Sequence, residues 1–264
     1  MDESDESLYV HTVKPSAIRT TPFNFDEYRV GGDNNRDAKA ALIECISRYN
    51  HLFMNTAEYY APYFSIVQSS GYGKTRLALQ VVKERFHGFY ICLREDLQKS
   101  STDHQPPRTA AVADSIYFNS SSNEKYVASL IVPRFKRFFD LLFECAQTFP
   151  TSLELFEAQQ VGNVEANNVF WTKVLGAEFS DSKAATTKVD PSLFPILIVI
   201  DDARGLRGVD DATTTSTASS MYNGLRRALA ETTGFLCILI DSSTKICSPA
   251  PMLKDDPSAR ICYG

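Results

Sequence analysis

The chain has 264 residues, enough for one domain of good size with a buried core. Apolar residues make up 44% and charged residues 22%, a globular mixture that excludes a wholly disordered chain, a collagen-like repeat and a coiled-coil rod. With 27 Lys and Arg against 32 Asp and Glu the formal charge is −5, which excludes coating of nucleic acid by bulk charge but not a local basic patch.

The N-terminus, Met-Asp-Glu-Ser-Asp-Glu-Ser, has neither the basic start nor the apolar stretch of a secretory signal. Residues 1–8 read as disordered, and 1–35 as an acidic, irregular arm. Asp33, Asn34 and Asn35 offer cap oxygens to a helix with Leu42, Ile46, Tyr49 and Phe53 on one stripe. Tyr63–Val67 reads as a strand. Gln68-Ser-Ser-Gly-Tyr-Gly-Lys-Thr75 follows, then a helical pattern with Leu77, Val81, Val82 and Phe86. Gly88 stops that helix, and Phe89–Leu93 reads as a second strand. Strand, Gly-containing loop, helix and strand make a βαβ unit, which favours a parallel sheet.

Residues 98–123 read as a loop with a short ordered piece inside. Residues 124–149 look helical, with Pro133 starting a new helix or kinking this one. Helical patterns also run over 151–160 and 164–177, so a helical insertion spans about 98–192. Leu193–Ile200 is an apolar strand ending in Asp201 and Asp202. The tract Thr213–Ser220 leads into a helix with Leu225, Ala228 and Leu229. Phe235–Ile240 is another apolar strand, followed by Asp241-Ser242-Ser243-Thr244. Strands apolar on both faces are what a covered parallel sheet requires.

No apolar run approaches the ~18–20 residues that cross a bilayer, so no membrane partner is expected. The six cysteines form no Cys-x-x-Cys pair, and the four histidines show no metal spacing. Several cysteines lie in apolar runs, as reduced core residues do, so the reading is an intracellular chain of the cytoplasm or nucleus.

The loop before the second helix resembles a Walker A segment, Gly-x-x-x-x-Gly-Lys-Ser/Thr. Such a loop cradles phosphate on successive backbone N–H groups. Ser69, Ser70, Gly71, Tyr72, Gly73, Lys74, Thr75 and Arg76 are the nucleotide-binding candidates. Gly73 lets the backbone approach the phosphates, Lys74 reaches the β- and γ-phosphates, and Thr75 offers a hydroxyl to Mg²⁺. Gln68 stands where the pattern has its first glycine, which makes the loop irregular. The alternative is a Gly-rich turn that binds nothing.

The strand ending in Asp201-Asp202 resembles a Walker B segment. Asp201 is the expected Mg²⁺ ligand, and Asp202, with Lys74, the expected catalytic residue, polarising the attacking water. The alternative is an acid pair that caps a turn. Ser243 and Thr244 are γ-phosphate sensor candidates. Arg204 and Arg260 are arginine-finger candidates, each also readable as a surface arginine. Arg134, Lys136 and Arg137 form a basic cluster on a helix, read chiefly as a solvated face. An Asn-Lys-x-Asp guanine signature is absent, so ATP is the expected nucleotide. Tyr59, Tyr60 and Tyr63 are candidates to stack on its base, or core aromatics.

These motifs, with Asp256-Pro-Ser-Ala-Arg260, resemble the NTPase domain of Crinkler-type proteins and related oomycete and fungal proteins. The resemblance covers about residues 60–264. It implies an α/β fold, a P-loop NTPase-like parallel sheet flanked by helices with a helical insertion, AAA- or STAND-like, over 36–264. It implies ATP and Mg²⁺ as cofactors and a slow ATPase acting as a switch or effector module. A protein partner or self-association would fit, and nucleic acid enters by family analogy only. Such a core ordinarily has a further strand after the sensor strand, so a C-terminally truncated chain is expected. The alternative function is a catalytically degenerate scaffold or interaction module. A small-molecule kinase is a third reading, without an acceptor signature.

Overall fold

Ile196–Asp201 and Phe235–Asp241 show no polar alternation, and every residue of both is buried. They are the central strands of a computed structural model that describes residues 38–55, 61–67, 73–94, 106–116, 124–176, 195–207 and 215–242. In chain order the elements are α1 (Ala38–Asn55), β1 (Tyr63–Val67), α2 (Lys74–Glu84), β2 (Gly88–Cys92), α3 (Ala110–Ile116), α4 (Glu124–Gln147), α5 (Ser152–Ala158) and α6 (Val164–Leu175). There follow β3 (Ile196–Asp201), a 3-10 turn (Ala203–Arg207), α7 (Thr215–Ala230) and β4 (Phe235–Asp241).

The four strands form one sheet in the order β1-β4-β3-β2, and every neighbouring pair is parallel. The protein is therefore an α/β fold with an all-parallel sheet flanked by helices. The strand made last, β4, inserts between the first and the third. Register pairs Val67 with Asp241, Asp201 with Ile240 and Cys92 with Asp201, so all four carboxyl ends lie along one edge.

Alternate residues of each strand feed two cores. Phe89, Ile91, Ile196, Ile198, Ile200, Phe235, Cys237 and Leu239 pack under α4, α6 and α7, with Trp171 fully buried against Phe89. Tyr90, Cys92, Leu197, Val199, Leu236, Ile238 and Ile240 pack under α1 and α2, against Leu42, Ile46, Ala78, Leu79 and Val82. The helices of the 98–192 block are thus integral to the core, since α4 and α6 cover one face together with α7. At the contact of α4 with α7, a Cβ on Gly224 would lie 2.2 Å from Ile131 Cγ2, so only glycine lets these helices approach.

Several boundaries differ from the sequence reading. Pro133 lies inside a single 24-residue α4 rather than starting a helix. It is exposed on the helix surface. The helix α7 starts inside the Thr/Ser tract, at Thr215. Thr151 caps α5 and Asn163 caps α6, each side chain accepting from the backbone N–H three residues on. The helix α2 ends at Glu84 with Arg85 at its cap, so Gly88 is not the helix stop but the first residue of β2. The arm 1–35 lies outside the described residues.

Among the described residues, the outer edge of β2 carries no strand. Gln159, fully buried, takes a strand's place: its Oε1 accepts from Tyr90 N–H at 2.9 Å and its Nε2 donates to Gly88 C=O at 2.8 Å. Thr109 does the same further along, its Oγ1 accepting from Cys92 N–H at 3.0 Å and its N–H donating to Cys92 C=O at 2.9 Å. These four backbone groups of the edge are thereby satisfied.

Candidate functional site

The carboxyl edge of a parallel sheet collects the loops that leave its strands, and ligands of open α/β sheets bind there. In this chain the edge gathers Lys74, Thr75, Arg94, Asp201, Asp202, Arg204 and Asp241. Gly73 opens α2 in the left-handed region (φ 77°), which glycine adopts without strain. No side chain of Gly73 caps the helix, and a Cβ there would meet nothing within 4 Å. The first-turn N–H groups lie at the positive end of the helix dipole.

Asp201 is the centre of the cluster. Its Oδ2 accepts from Thr75 Oγ1 at 2.6 Å and from the Tyr90 hydroxyl at 2.7 Å. Its Oδ1 accepts from the N–H of Asp202 at 2.9 Å. Only 7% of Asp201 is exposed, and burial raises its carboxyl above the ordinary value. The bonds from Thr75 and Tyr90 pull it part of the way back. Burial also holds the Lys74 ammonium below its ordinary value, against the attraction of Asp201, Asp241 and Asp202. Burial pushes the Tyr90 phenol well up, as does its carboxylate partner, so its proton stays on the bond to Asp201.

Asp202 is left-handed (φ 51°), a conformation that Asp tolerates better than most residues. The turn aims its carboxylate at two guanidiniums. Arg94 Nε donates to Oδ2 at 3.0 Å, and Arg204 Nη2 donates to Oδ1 at 3.1 Å. The backbone N–H of Arg204 donates to Asp241 Oδ2 at 2.7 Å, so the buried Asp241 caps the 3-10 turn. Three carboxylates thus face three cationic side chains. The charges that would repel one another are locally compensated.

Of the expected nucleotide-binding residues, the structure brings Gly73, Lys74, Thr75 and Arg76 to the start of α2, with Thr75 on Asp201. Ser69, Ser70, Gly71 and Tyr72 lie outside the described residues, as do Ser243, Thr244 and Arg260, and Tyr59 and Tyr60 among the aromatics. Arg204 lies beside Asp202 and is bonded to it. Tyr63 is a base-stacking candidate that the structure sends elsewhere. It begins β1, at the end away from the loop, and its ring packs on Tyr222 and under the Arg226 guanidinium, 5.5 Å from the ring centre. Lys136 pairs with Glu231 at 2.6 Å, and Arg134 and Arg137 are exposed on α4, as a solvated face requires.

Tyr90 and Arg94 were not among the sequence candidates. A polar residue inside Phe-Tyr-Ile-Cys and an arginine just past that strand were their only signals. Among the described residues no group of three or more His, Cys, Asp or Glu could hold a metal by itself. Cys92 and Cys145, pushed up to about 12 by burial, are core thiols rather than ligands or nucleophiles. No helix of the described residues is long and apolar enough to cross a membrane.

No curated protein and no solved structure matches the chain. Residues 34–262 match the family described as Domain of unknown function (DUF8735), and the chain belongs to that family.

Proposed function

We propose that the chain is a P-loop NTPase-like protein that binds ATP with Mg²⁺ at the carboxyl edge of its sheet and hydrolyses it slowly, as a nucleotide-dependent switch or effector module. The observation that carries this reading is the bond from Thr75 to Asp201, across 126 residues of chain. It joins the end of the Walker A-like loop to the Walker B-like strand. Packing alone does not require a hydroxyl and a buried carboxylate at those two positions.

The residues fit the group they would hold. Thr75 Oγ1 and Asp201 are hard oxygen donors, and Mg²⁺ in phosphate sites takes one or two such protein ligands, keeping water and phosphate for the rest. That suits a place without an all-protein cage. Gly73 leaves the backbone open to a phosphate, and Lys74 supplies a charge beside it. Bound Mg²⁺ would neutralise phosphate charge that Asp201, Asp202 and Asp241 otherwise oppose. The insertion of β4 between β1 and β3 puts the end of β4 between the two motif segments, and the sensor candidates Ser243 and Thr244 are the residues that come after it in sequence.

The engagement of both Asp202 oxygens by Arg94 and Arg204 supports slow turnover, because a carboxylate so held is a weak acceptor for a water proton. It also favours the second reading, a P-loop scaffold that binds partners without turnover. The likeness to Crinkler-type NTPase domains supports the nucleotide site in either case. It extends the proposal to a protein partner or self-association.

Calorimetry with ATP in Mg²⁺ and in EDTA, on the parent and on Lys74→Ala, tests the site. Binding in the parent that is lost in Lys74→Ala is expected, and equal binding in both removes the proposal. GTP in place of ATP tests the choice of base. Sustained phosphate release that Asp202→Asn abolishes separates the slow ATPase from the scaffold.

A further inference from the structure

We infer that Tyr90 is a positioning residue for Asp201, fixing the carboxylate that would hold Mg²⁺ without touching ion or nucleotide; this rests on the proposed ATP site. Tyr90 is the only residue of Gly88–Cys92 with a hydroxyl, and it is 1% exposed. Its ring belongs to the core under α1 and α2, while its hydroxyl ends on Asp201 Oδ2. Thr75 donates to that same oxygen from the opposite element. The carboxylate is held from two sides, and Oδ1 is held by the N–H of Asp202.

Each restraint removes a way for Asp201 to turn. Rotation about its terminal bond would break the bonds of Thr75 and Tyr90 at once. Thr75 sits on the first turn of α2, and its hydroxyl is itself a proposed Mg²⁺ ligand. Tyr90 sits in a strand paired with β3 and held at its outer edge by Gln159. The rigid restraint is therefore the tyrosine. A ligating carboxylate fixed by such an outer partner loses about ten- to a hundredfold in metal affinity when the partner is removed.

The test is Tyr90→Phe, which keeps the ring and removes one oxygen. The Kd for ATP is measured by calorimetry in EDTA and in excess Mg²⁺, and the ratio of the two reports what Mg²⁺ adds. The expected result is a ratio reduced by about ten- to a hundredfold, or to unity, with the EDTA value unchanged within about twofold. A merely structural role would weaken both values together, and that result overturns the inference, as does an unchanged ratio. If Tyr90→Phe fails to melt cooperatively, Tyr90→Met takes its place, since its adaptable apolar chain also lacks the hydroxyl. Failure of both to fold overturns the inference too, because the hydroxyl is then a requirement of the fold. Absence of any Mg²⁺-dependent ATP binding in the parent refutes the proposed site instead, so the two failures are distinct.

Discussion

Replacing Gln159 with leucine would strip the outer edge of β2 while nearly keeping the volume of the side chain. Two backbone groups lose their partners: Tyr90 N–H and Gly88 C=O, bonded to the glutamine at 2.9 and 2.8 Å. Both residues are buried, so water cannot replace the amide. An unsatisfied buried group costs about 1–3 kcal/mol, which puts the pair at about 4 kcal/mol. Burying a leucine returns about 2 kcal/mol. The expected net loss is about 2 kcal/mol. With a urea slope of about 2 kcal/mol per M, the unfolding midpoint falls by about 1 M at unchanged slope. Gln159→Glu sharpens the test. Its second oxygen would face the Gly88 carbonyl, and burial would raise its folded-state pKa above the unfolded value. Its deficit is then full above that raised value and shrinks as pH falls through it, when a proton restores the donor. A midpoint for Gln159→Leu within about 0.2 M of the parent would refute the edge argument.

Gly224→Ala should destabilise by about 1–3 kcal/mol, because its Cβ would lie 2.2 Å from Ile131 Cγ2. Thermal melts should show that adding Ile131→Ala costs less in that background than in the parent. Asp201 stands above its ordinary 3.8, so between the two values the folded chain binds more protons than the unfolded one. Its contribution to stability therefore rises as pH falls through the raised value, whereas Mg²⁺-dependent ATP binding weakens, since a cation needs the carboxylate. Melts and calorimetry over that range, against Asp201→Asn, should show the two trends diverging. Arg94→Met removes the less exposed of the two charge-assisted bonds on Asp202, worth about 1.5–3 kcal/mol before screening by solvent. If that bond restrains a base, single-turnover phosphate release should rise by about ten- to a hundredfold, and a fall would show that Arg94 assists instead.

What the sequence made legible was what has a period or a local signature. The apolar runs 196–200 and 235–240 are buried strands because a sheet covered on both faces leaves no polar side. Thr75 and Asp201 were named from their motifs, and the fold joins them. Strand order was not legible, because nothing in the residues of β4 says that it enters between β1 and β3. Gln159 was equally hidden. Its role exists only once α5 is laid against β2, and on the chain it reads as a polar residue ending a helix. Tyr90 and Arg94 were missed because their partners lie 111 and 108 residues away. Tyr63 stayed open between base platform and core aromatic, and proves the latter, because sequence proximity to the loop hides which end of a strand a residue occupies.

The departures from local rules are concentrated at one edge. Asp201 and Asp241 end apolar strands and are nearly inaccessible, where a carboxylate is costly. Asp202 adopts a backbone conformation that most side chains avoid. Tyr90 carries a hydroxyl into a core of aliphatic residues. Each has a partner that offsets its cost, yet an apolar or amide substitute would have served packing without the need for one. All of these stand together beside a helix N-terminus opened by a left-handed glycine, which is what the proposed site would require. This also bears on whether the site binds at all, as against a fold that keeps the motifs and takes no ligand. A scaffold that had lost its ligand would have no further use for the buried charge of Asp201, whereas a binding site needs that carboxylate ionised. Retention of the ionisable form, at a measurable cost relieved in Asp201→Asn, would therefore argue that the site still takes a cation.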